Sequence, residues 1–379
     1  MAITFTKAIP TDKWIFSENN RIVEFSSDYA GTPLYCDITI GGTSYRFYPL
    51  PDGTFWINLG EPISKELSNY DDDLNLNTID PLAISTFIFD WSKVYFNGLI
   101  VIQITHSDLF VDTATARPHV ILGAEQLVNF KKGMTVTNEP KFILSPLKKG
   151  TTNTYYLNYW DGYPFDFGLT KTIPTAQTSQ TITNHTNGIV STAIPVPYDV
   201  NRIVISNGDT TQTLEDYLPL TEGLNKLELT GSVFIELYKF NPKCGVYVKW
   251  LNESGGYTYW LFNEFFEIDK NVKSKGEINK DFNNLEDTVS TFNNLGKESF
   301  DTYSLYADAL NVHEINIIKQ ILTSNKVYLF TGVRYSVNTF NDWLEVNVKT
   351  SGANLKQSRE VLNDFKVEIE IPNEYHISL

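Results

Sequence analysis

The run Cys-Gly-Val-Tyr-Val-Lys-Trp-Leu-Asn-Glu-Ser-Gly-Gly-Tyr-Thr-Tyr-Trp-Leu-Phe-Asn-Glu-Phe-Phe-Glu-Ile, from Cys244 to Ile268, constrains this chain more than any other stretch. Val246, Val248 and Trp250 alternate with Tyr247, Lys249 and Leu251. After a turn, Tyr257, Tyr259 and Leu261 alternate with Thr258, Trp260 and Phe262. Successive side chains of a strand leave opposite faces, so a period of two marks two strands. Asn252-Glu-Ser-Gly-Gly256 supplies residues that reach positive φ, which folds the strands back as a hairpin. A hairpin this aromatic cannot stand free in water: one face has to meet a core, and the other a helix, a domain or a partner subunit.

The same alternation recurs upstream. Ile22–Ser26 reads as a strand, and Leu34–Ile40 and Tyr45–Tyr48 flank Gly41-Gly42-Thr43-Ser44 as a hairpin. Pro51-Asp-Gly turns the chain before Phe55 and Ile57, which alternate with Trp56 and Asn58. Further strands are expected at Ser85–Phe89, Val94–Phe96, Leu99–Thr105 and His119–Leu122. Short strands with regular turn signals predict a sandwich of the immunoglobulin or fibronectin type over residues 1–135. A second β-rich domain is expected over 136–240, with strands at Phe142–Ser145, Tyr155–Trp160, Phe165–Leu169, Ile203–Ser206, Lys226–Leu229 and Val233–Tyr238. Its Thr-, Ser- and Asn-rich stretch 170–187 offers little to bury and reads as a solvated polar loop or arm.

Residues 241–379 read as a C-terminal α+β domain built on the aromatic hairpin. Phe282, Leu285, Val289 and Phe292 recur at near-helical spacing, and Phe300–Ala307 alternates as a strand. Asn311-Val-His-Glu314 is a capping box, followed by Ile315, Ile318 and Leu322 on one face, which predicts a helix over 312–323. Strands Lys326–Thr331, Leu344–Val348 and Phe365–Ile371 close the domain. The fold class is thus mainly β: tandem β-sandwich domains, then an α+β domain.

Chemistry is harder to find. The chain has 30 Lys and Arg against 45 Asp and Glu, a net charge of −15, which repels phosphate and argues against nucleic acid. It carries no P-loop, Rossmann glycine fingerprint, Gly-x-Ser-x-Gly elbow or His-Glu-x-x-His. His106, His119, His185, His313 and His376 share no metal-ligand spacing, and His185 and His313 read as surface residues. An EF-hand starting at Asp71 would put Leu76 where glycine is required and Leu82 where glutamate is, so Tyr70-Asp-Asp-Asp-Leu-Asn75 reads as a solvated acidic loop. Asp161 with Asp166, and Glu264 with Glu267, are the carboxylate pairs a glycosidase would use, but their spacing cannot be read from sequence. Asn184-His-Thr186 and Asn252-Glu-Ser254 match the glycosylation pattern. Cys36 and Cys244 fall in different expected domains with no metal spacing. No catalytic, cofactor or metal site is expected. The opening Met-Ala-Ile-Thr-Phe-Thr-Lys lacks the pattern of a signal peptide, and no apolar run reaches membrane-helix length, so a soluble chain made in the cytoplasm is expected.

Several segments together resemble virion structural proteins of tailed phages and prophages of Bacteroidota, including crAss-like phages. They are the hairpin run 244–262, Leu295-Gly-Lys-Glu298, the helix leading into Ile321-Leu-Thr-Ser-Asn-Lys-Val-Tyr-Leu329, Trp343-Leu-Glu-Val-Asn-Val348, Phe365-Lys-Val-Glu-Ile-Glu370 and Pro51-Asp-Gly-Thr-Phe-Trp-Ile57. The likeness covers roughly the first 60 and last 140 residues, and its motifs are structural, so no functional residue carries over. It implies a tail or neck component, a ring-type subunit of the virion that is assembled in the bacterial cytoplasm with neighbouring virion proteins and further copies of itself. Two other classes stand beside it: a receptor- or glycan-binding tail fibre or adaptor, and a polysaccharide hydrolase needing two carboxylates in one cleft.

Overall fold

The computed structural model describes residues 3–67, 74–173, 178–208, 213–241, 244–279, 292–331, 343–350, 352 and 362–372. Contacts divide the chain into two compact units, Met1–Pro242 with Asn252–Tyr257, and Lys243–Leu251 with Thr258–Leu379. Both are mainly β.

The first unit begins with a two-sheet sandwich. One sheet runs Ile3–Lys7, Ile22–Ser27, Phe55–Asn58; the other runs Val111–Ala116, Ile100–His106, Pro33–Ile40, Thr43–Phe47. Every neighbouring pair in both is antiparallel. The inward positions are those the alternation marks: Val23, Phe25, Phe55 and Ile57 from one sheet meet Cys36, Ile38, Ile40, Ile100, Ile102 and Ile104 from the other in one core. Phe25 and Phe55 stack with centroids 5.3 Å apart, a contact worth about 0.5–1.5 kcal/mol beyond area burial. The Thr43–Phe47 hairpin turns on Gly41 and Gly42, with φ of 55° and 92°, a tighter loop than the four residues expected.

The second half of the unit holds a five-stranded sheet in the order Thr154–Trp160, Val233–Phe240, Gly223–Leu229, Ile182–Asn184, Ile189–Val190. Its first pair is parallel, a pairing that local alternation does not specify. A three-stranded sheet runs Pro164–Thr170, Val200–Asn207, Ile88–Asp90. Tyr159 and Phe165, stacked at 5.2 Å, join the two sheets.

Several expectations change here. Ile88–Asp90 pairs antiparallel with Asn201–Ile203, so one sheet takes strands from both sides of the junction expected near residue 135. The contacts accordingly gather both expected N-terminal domains in one unit. Ser85–Phe89 is a 3-10 turn, Ile84–Phe87, leading into that strand, because Thr86 Oγ1 donates back to the Ala83 and Asp80 carbonyls. The polar stretch 170–187 is not an open loop where it is described: Ser179–Gln180 and Ile182–Asn184 are strands, with Gln180, Ile182 and Asn184 buried. Its polarity is satisfied internally, since Asn184 Nδ2 donates to Pro219 O at 3.1 Å and to Asn225 Oδ1 at 3.0 Å.

The second unit is a seven-stranded sheet in the order Tyr257–Phe262, Val246–Leu251, Val327–Phe330, Trp343–Val348, Asn363–Glu370, Lys297–Leu310, Glu267–Ser274. A two-stranded ribbon, Glu277–Asn279 with Phe292–Asn294, follows the last of these. The aromatic hairpin is buried on both faces. On one face Tyr247, Tyr259, Phe330 and Trp343 form a ring cluster with centroids 5.1–6.2 Å apart, and the Lys249 ammonium lies 4.1 Å from the Trp343 ring. The helix is Val312–Ile318, continued as a 3-10 turn over Lys319–Leu322, with Ile315, Ile317, Ile318 and Ile321 buried. Its capping box forms: Asn311 Oδ1 accepts from the His313 and Glu314 amides at 2.9 and 3.0 Å, and Glu314 Oε2 accepts from the Asn311 amide at 2.8 Å. Of the helix expected through Phe282, Leu285, Val289 and Phe292, the first three residues lie outside the described residues and Phe292 begins the strand Phe292–Asn294.

Candidate functional site

The residues that chemistry would use are mostly committed to the fold. Asp166, a glycosidase candidate, is buried, and both its oxygens are held by Arg202, at 2.6 Å from Nη2 and 3.1 Å from Nε. The guanidinium also sits 4.6 Å from the Trp91 ring and 5.0 Å from that of Tyr257. Trp91 in turn donates its indole N–H to Gly255 O at 2.9 Å. This centre is a clamp on the hairpin turn 252–257. Around it Asn252 Nδ2 donates to Leu144 O at 3.0 Å, and the Ala124 amide donates to Glu253 O at 2.8 Å. Gly256 is required by space rather than by its dihedral: a Cβ there would lie 2.2 Å from Leu144 O.

Asp161, the partner proposed for Asp166, is half-buried and lies 3.5 Å from Lys239 Nζ and 3.4 Å from Tyr159 Oη. Glu264 is exposed, and Glu267 accepts from Tyr306 Oη at 2.9 Å. A glycosidase acid has to reach the sugar, and Asp166 is buried with both oxygens bonded to Arg202.

A second polar centre lies in the sandwich. His106 is fully buried, with Nδ1 2.9 Å from Gly31 O and Nε2 3.2 Å from Asp112 Oδ2, and Ser27 Oγ donates to the same carboxylate oxygen. The three side chains are those of a hydrolase triad but in the wrong order. There the imidazole stands between hydroxyl and carboxylate; here the carboxylate stands between the other two. The centre ties the start of Val111–Ala116 to the end of Ile22–Ser27. Sequence spacing gave no sign of it, because Ser27 and Asp112 are 85 residues apart.

The other histidines divide. His185 is exposed and 2.6 Å from Glu228, and His313 is exposed on the helix cap, as expected for surface residues. His119 is half-buried beside Tyr95, its Nδ1 2.6 Å from the phenol oxygen, and burial lowers its pKa. Residues 70–73 of the acidic loop and His376 lie outside the described residues. Among the described residues no group of three or more His, Cys, Asp or Glu side chains could hold a metal ion. Asn184 and Asn252, the glycosylation matches, are both buried and both donate their amide groups inside the fold. Cys36 is buried and Cys244 exposed, and both are free thiols. Burial pushes the Cys36 thiol up to about 12.

One cleft in the sandwich is lined by Ile9, Pro10, Ile15, Arg21, Leu59 and Ile63, with a volume near 120 Å³. Ligand sites usually span about 300–1,000 Å³ and converge polar groups on one point. Here the Arg21 Nε–H already donates to Phe16 O at 3.3 Å. The cleft is too small and too plain to be a substrate site.

The exposed surface offers a different kind of site. Glu267–Ser274 is an edge strand, and all eight of its residues are exposed. Phe265 and Phe266 precede it, 78% and 41% exposed, and Ile268 and Val272 lie on the strand itself at 51% and 55%. Alternation is weak here, because only Ile268 and Val272 of the eight residues are apolar. Among the described residues, no helix is long and apolar enough to cross a membrane.

No known family model matches the sequence, and no curated protein is similar to it. Solved structures give distant likenesses. One, described as a 1.5-MDa bacterial ice-binding adhesin, shares 11% identity over 64% of this chain and 65% of that one, with a TM-score of 0.21. The fibronectin(III)-like modules of Clostridium thermocellum CbhA share 6% identity over 63% and 94%, with a TM-score of 0.19. Murine CEACAM1b shares 11% over 63% and 100%, with a TM-score of 0.21. At such scores the mainly β architecture stands on the sheets of this chain itself.

Proposed function

We propose that this chain is a non-enzymatic structural subunit of a tailed-phage virion, a tail or neck component that acts by protein–protein assembly. The observation that carries the reading is where the virion-like segments fall. Phe55–Asn58, the hairpin strands, Val327–Phe330, Trp343–Val348 and Asn363–Glu370 are framework strands, so the likeness lies in the scaffold and includes none of the residues lining the cleft at Ile9 and Arg21. The commitment of Asp166, His106 and Asp112 to internal partners supports a scaffold role in place of catalysis. An exposed edge strand supports assembly, because unpaired strand edges are templates for another chain. The place of the protein is then the virion, built in the host cytoplasm beside neighbouring tail or neck proteins.

The test is protein identification by mass spectrometry in phage particles purified from the strain that carries this gene. Recovery in the tail or neck fraction, at a fixed ratio to the major capsid protein, is the expected result. Absence from intact, infectious particles would overturn the reading.

A second reading, glycan binding by a fibre or adaptor, rests on Trp56. It stands 57% exposed on the outer face of the sandwich, opposite Glu24, and an open indole is a platform for sugar stacking. A change in tryptophan emission on adding host polysaccharide, lost in Trp56→Ala, would favour it.

A further inference from the structure

The edge strand carries an ordered run of charge along one face. Glu267, Asp269, Asn271, Lys273 and Lys275 lie on one face: acidic at the start, amide in the middle, basic at the end. Run antiparallel against a second copy of itself about Asn271, this face sets Glu267 opposite Lys275 and Asp269 opposite Lys273, each pair formed twice. Asn271 meets its own symmetry mate.

Backbone geometry favours the same alignment. The Lys275 amide donates to Gly296 O at 2.9 Å. The ladder then runs through the pairs Lys273–Glu298, Asn271–Phe300, Asp269–Thr302 and Glu267–Ser304. In an antiparallel ladder hydrogen-bonded pairs alternate with unbonded ones, so the odd-numbered residues bond inward. On the other side of the same neighbour, the Ile371 amide donates to Asp301 O at 2.9 Å, which keeps its even residues for this strand. The backbone groups of Ile268, Val272 and Ser274 therefore point away from the sheet. In the proposed dimer they form the new hydrogen bonds, and the charged residues sit at the unbonded positions, where side chains approach most closely.

A two-fold axis through the sheet keeps each residue on its own face, so only every second register is open, and these differ sharply. Centring on Lys270 brings two lysines face to face, and centring on Val272 brings Glu267 against Glu277. Only the Asn271 register pairs opposite charges throughout. An edge guarded against pairing would carry charge of one sign along its length; this one is self-complementary.

We infer that Glu267–Ser274 is the interface of a two-fold dimer of this chain, in which two seven-stranded sheets join edge to edge. The contact is isologous and closes on itself. The inference does not depend on the virion reading, because a dimer of a non-virion protein would use the same edge.

Sedimentation equilibrium of the full-length chain over a range of concentrations tests it with two charge variants. Glu267→Lys/Asp269→Lys makes the face wholly basic, and Lys273→Glu/Lys275→Glu makes it wholly acidic. All four positions are exposed, so neither variant disturbs a core. Wild type is expected to show a monomer–dimer equilibrium. Each variant alone should dimerise more weakly by roughly tenfold or more, and a one-to-one mixture of the two should recover dimer, since every pair is then complementary. A wild type that stays monomeric, an oligomer indifferent to both variants, or a mixture no better than its parts would each overturn the proposal.

Discussion

Arg202 and Asp166 form a two-point ion pair, 2.6 Å and 3.1 Å long, from which water is almost fully excluded. The guanidinium stacks against Trp91 and Tyr257, so one side chain links the strand pair to the hairpin turn. A buried pair of this kind contributes little against an apolar replacement, but it cannot lose one partner.

Asp166→Ala is therefore expected to cost about 3–5 kcal/mol, because it strands a buried guanidinium. The double change Asp166→Leu/Arg202→Met should cost less than the single one. Urea midpoints of the three proteins decide this; a single variant as stable as wild type would mean that the centre is open to water.

Gly256→Ala should destabilise by about 1–3 kcal/mol, the range for forcing atoms into filled space. The added Cβ would meet the Leu144 carbonyl at 2.2 Å. Gly352→Ala serves as the control, since nothing lies within 4 Å of its Cβ position, and it should leave the midpoint unchanged. Equal effects at the two sites would contradict the packing of the turn.

Lys141 is buried, with Nζ donating to Gln180 Oε1 at 2.8 Å and to the Thr230 carbonyl. Burial lowers its pKa from 10.5 to about 8. Between those two values the unfolded chain holds the extra proton, so stability attributable to this group rises with pH and is weakest below pH 8. Lys141→Met should remove that rise. The readout is the difference in urea midpoint between wild type and variant at pH 7.5 and 9.5; a difference that does not change with pH would refute the assignment.

Thiol labelling should distinguish the cysteines by burial alone. The thiolate is the reactive form, and Cys36 is fully buried with its pKa pushed up to about 12. In the native protein one equivalent of an aromatic disulfide reagent should react quickly, at Cys244, and the second only after denaturant is added. Rapid reaction of both would place Cys36 at the surface.

Much of this fold is legible locally. The hairpin strands Val246–Leu251 and Tyr257–Phe262 fall where alternation puts them. The burial of Phe55 and Ile57 beside exposed Trp56 follows the same rule, and Asn311 caps the helix as its spacing predicts. These features depend on side chains within a few residues of one another, so the sequence carries them. Where large apolar residues alternate strongly, the sequence determined which segments are strands and which way their side chains face.

Tertiary structure alone decided which strands distant in sequence are neighbours. Alternation is the same whether a strand's partner is next in sequence or 80 positions on, as for Thr154 and Phe234 in parallel pairing. It says equally little about Ile88–Asp90, which joins a sheet of residues beyond 160. The stretch 170–187 reads as solvated because its polar groups look unpaired. Asn184 is buried only because Asn225 and Pro219, distant in sequence, meet its amide. Burial of a polar group depends on a partner that local sequence does not contain. Asp166 is anchored for that reason: Arg202 is 36 residues away along the chain and 2.6 Å away in space.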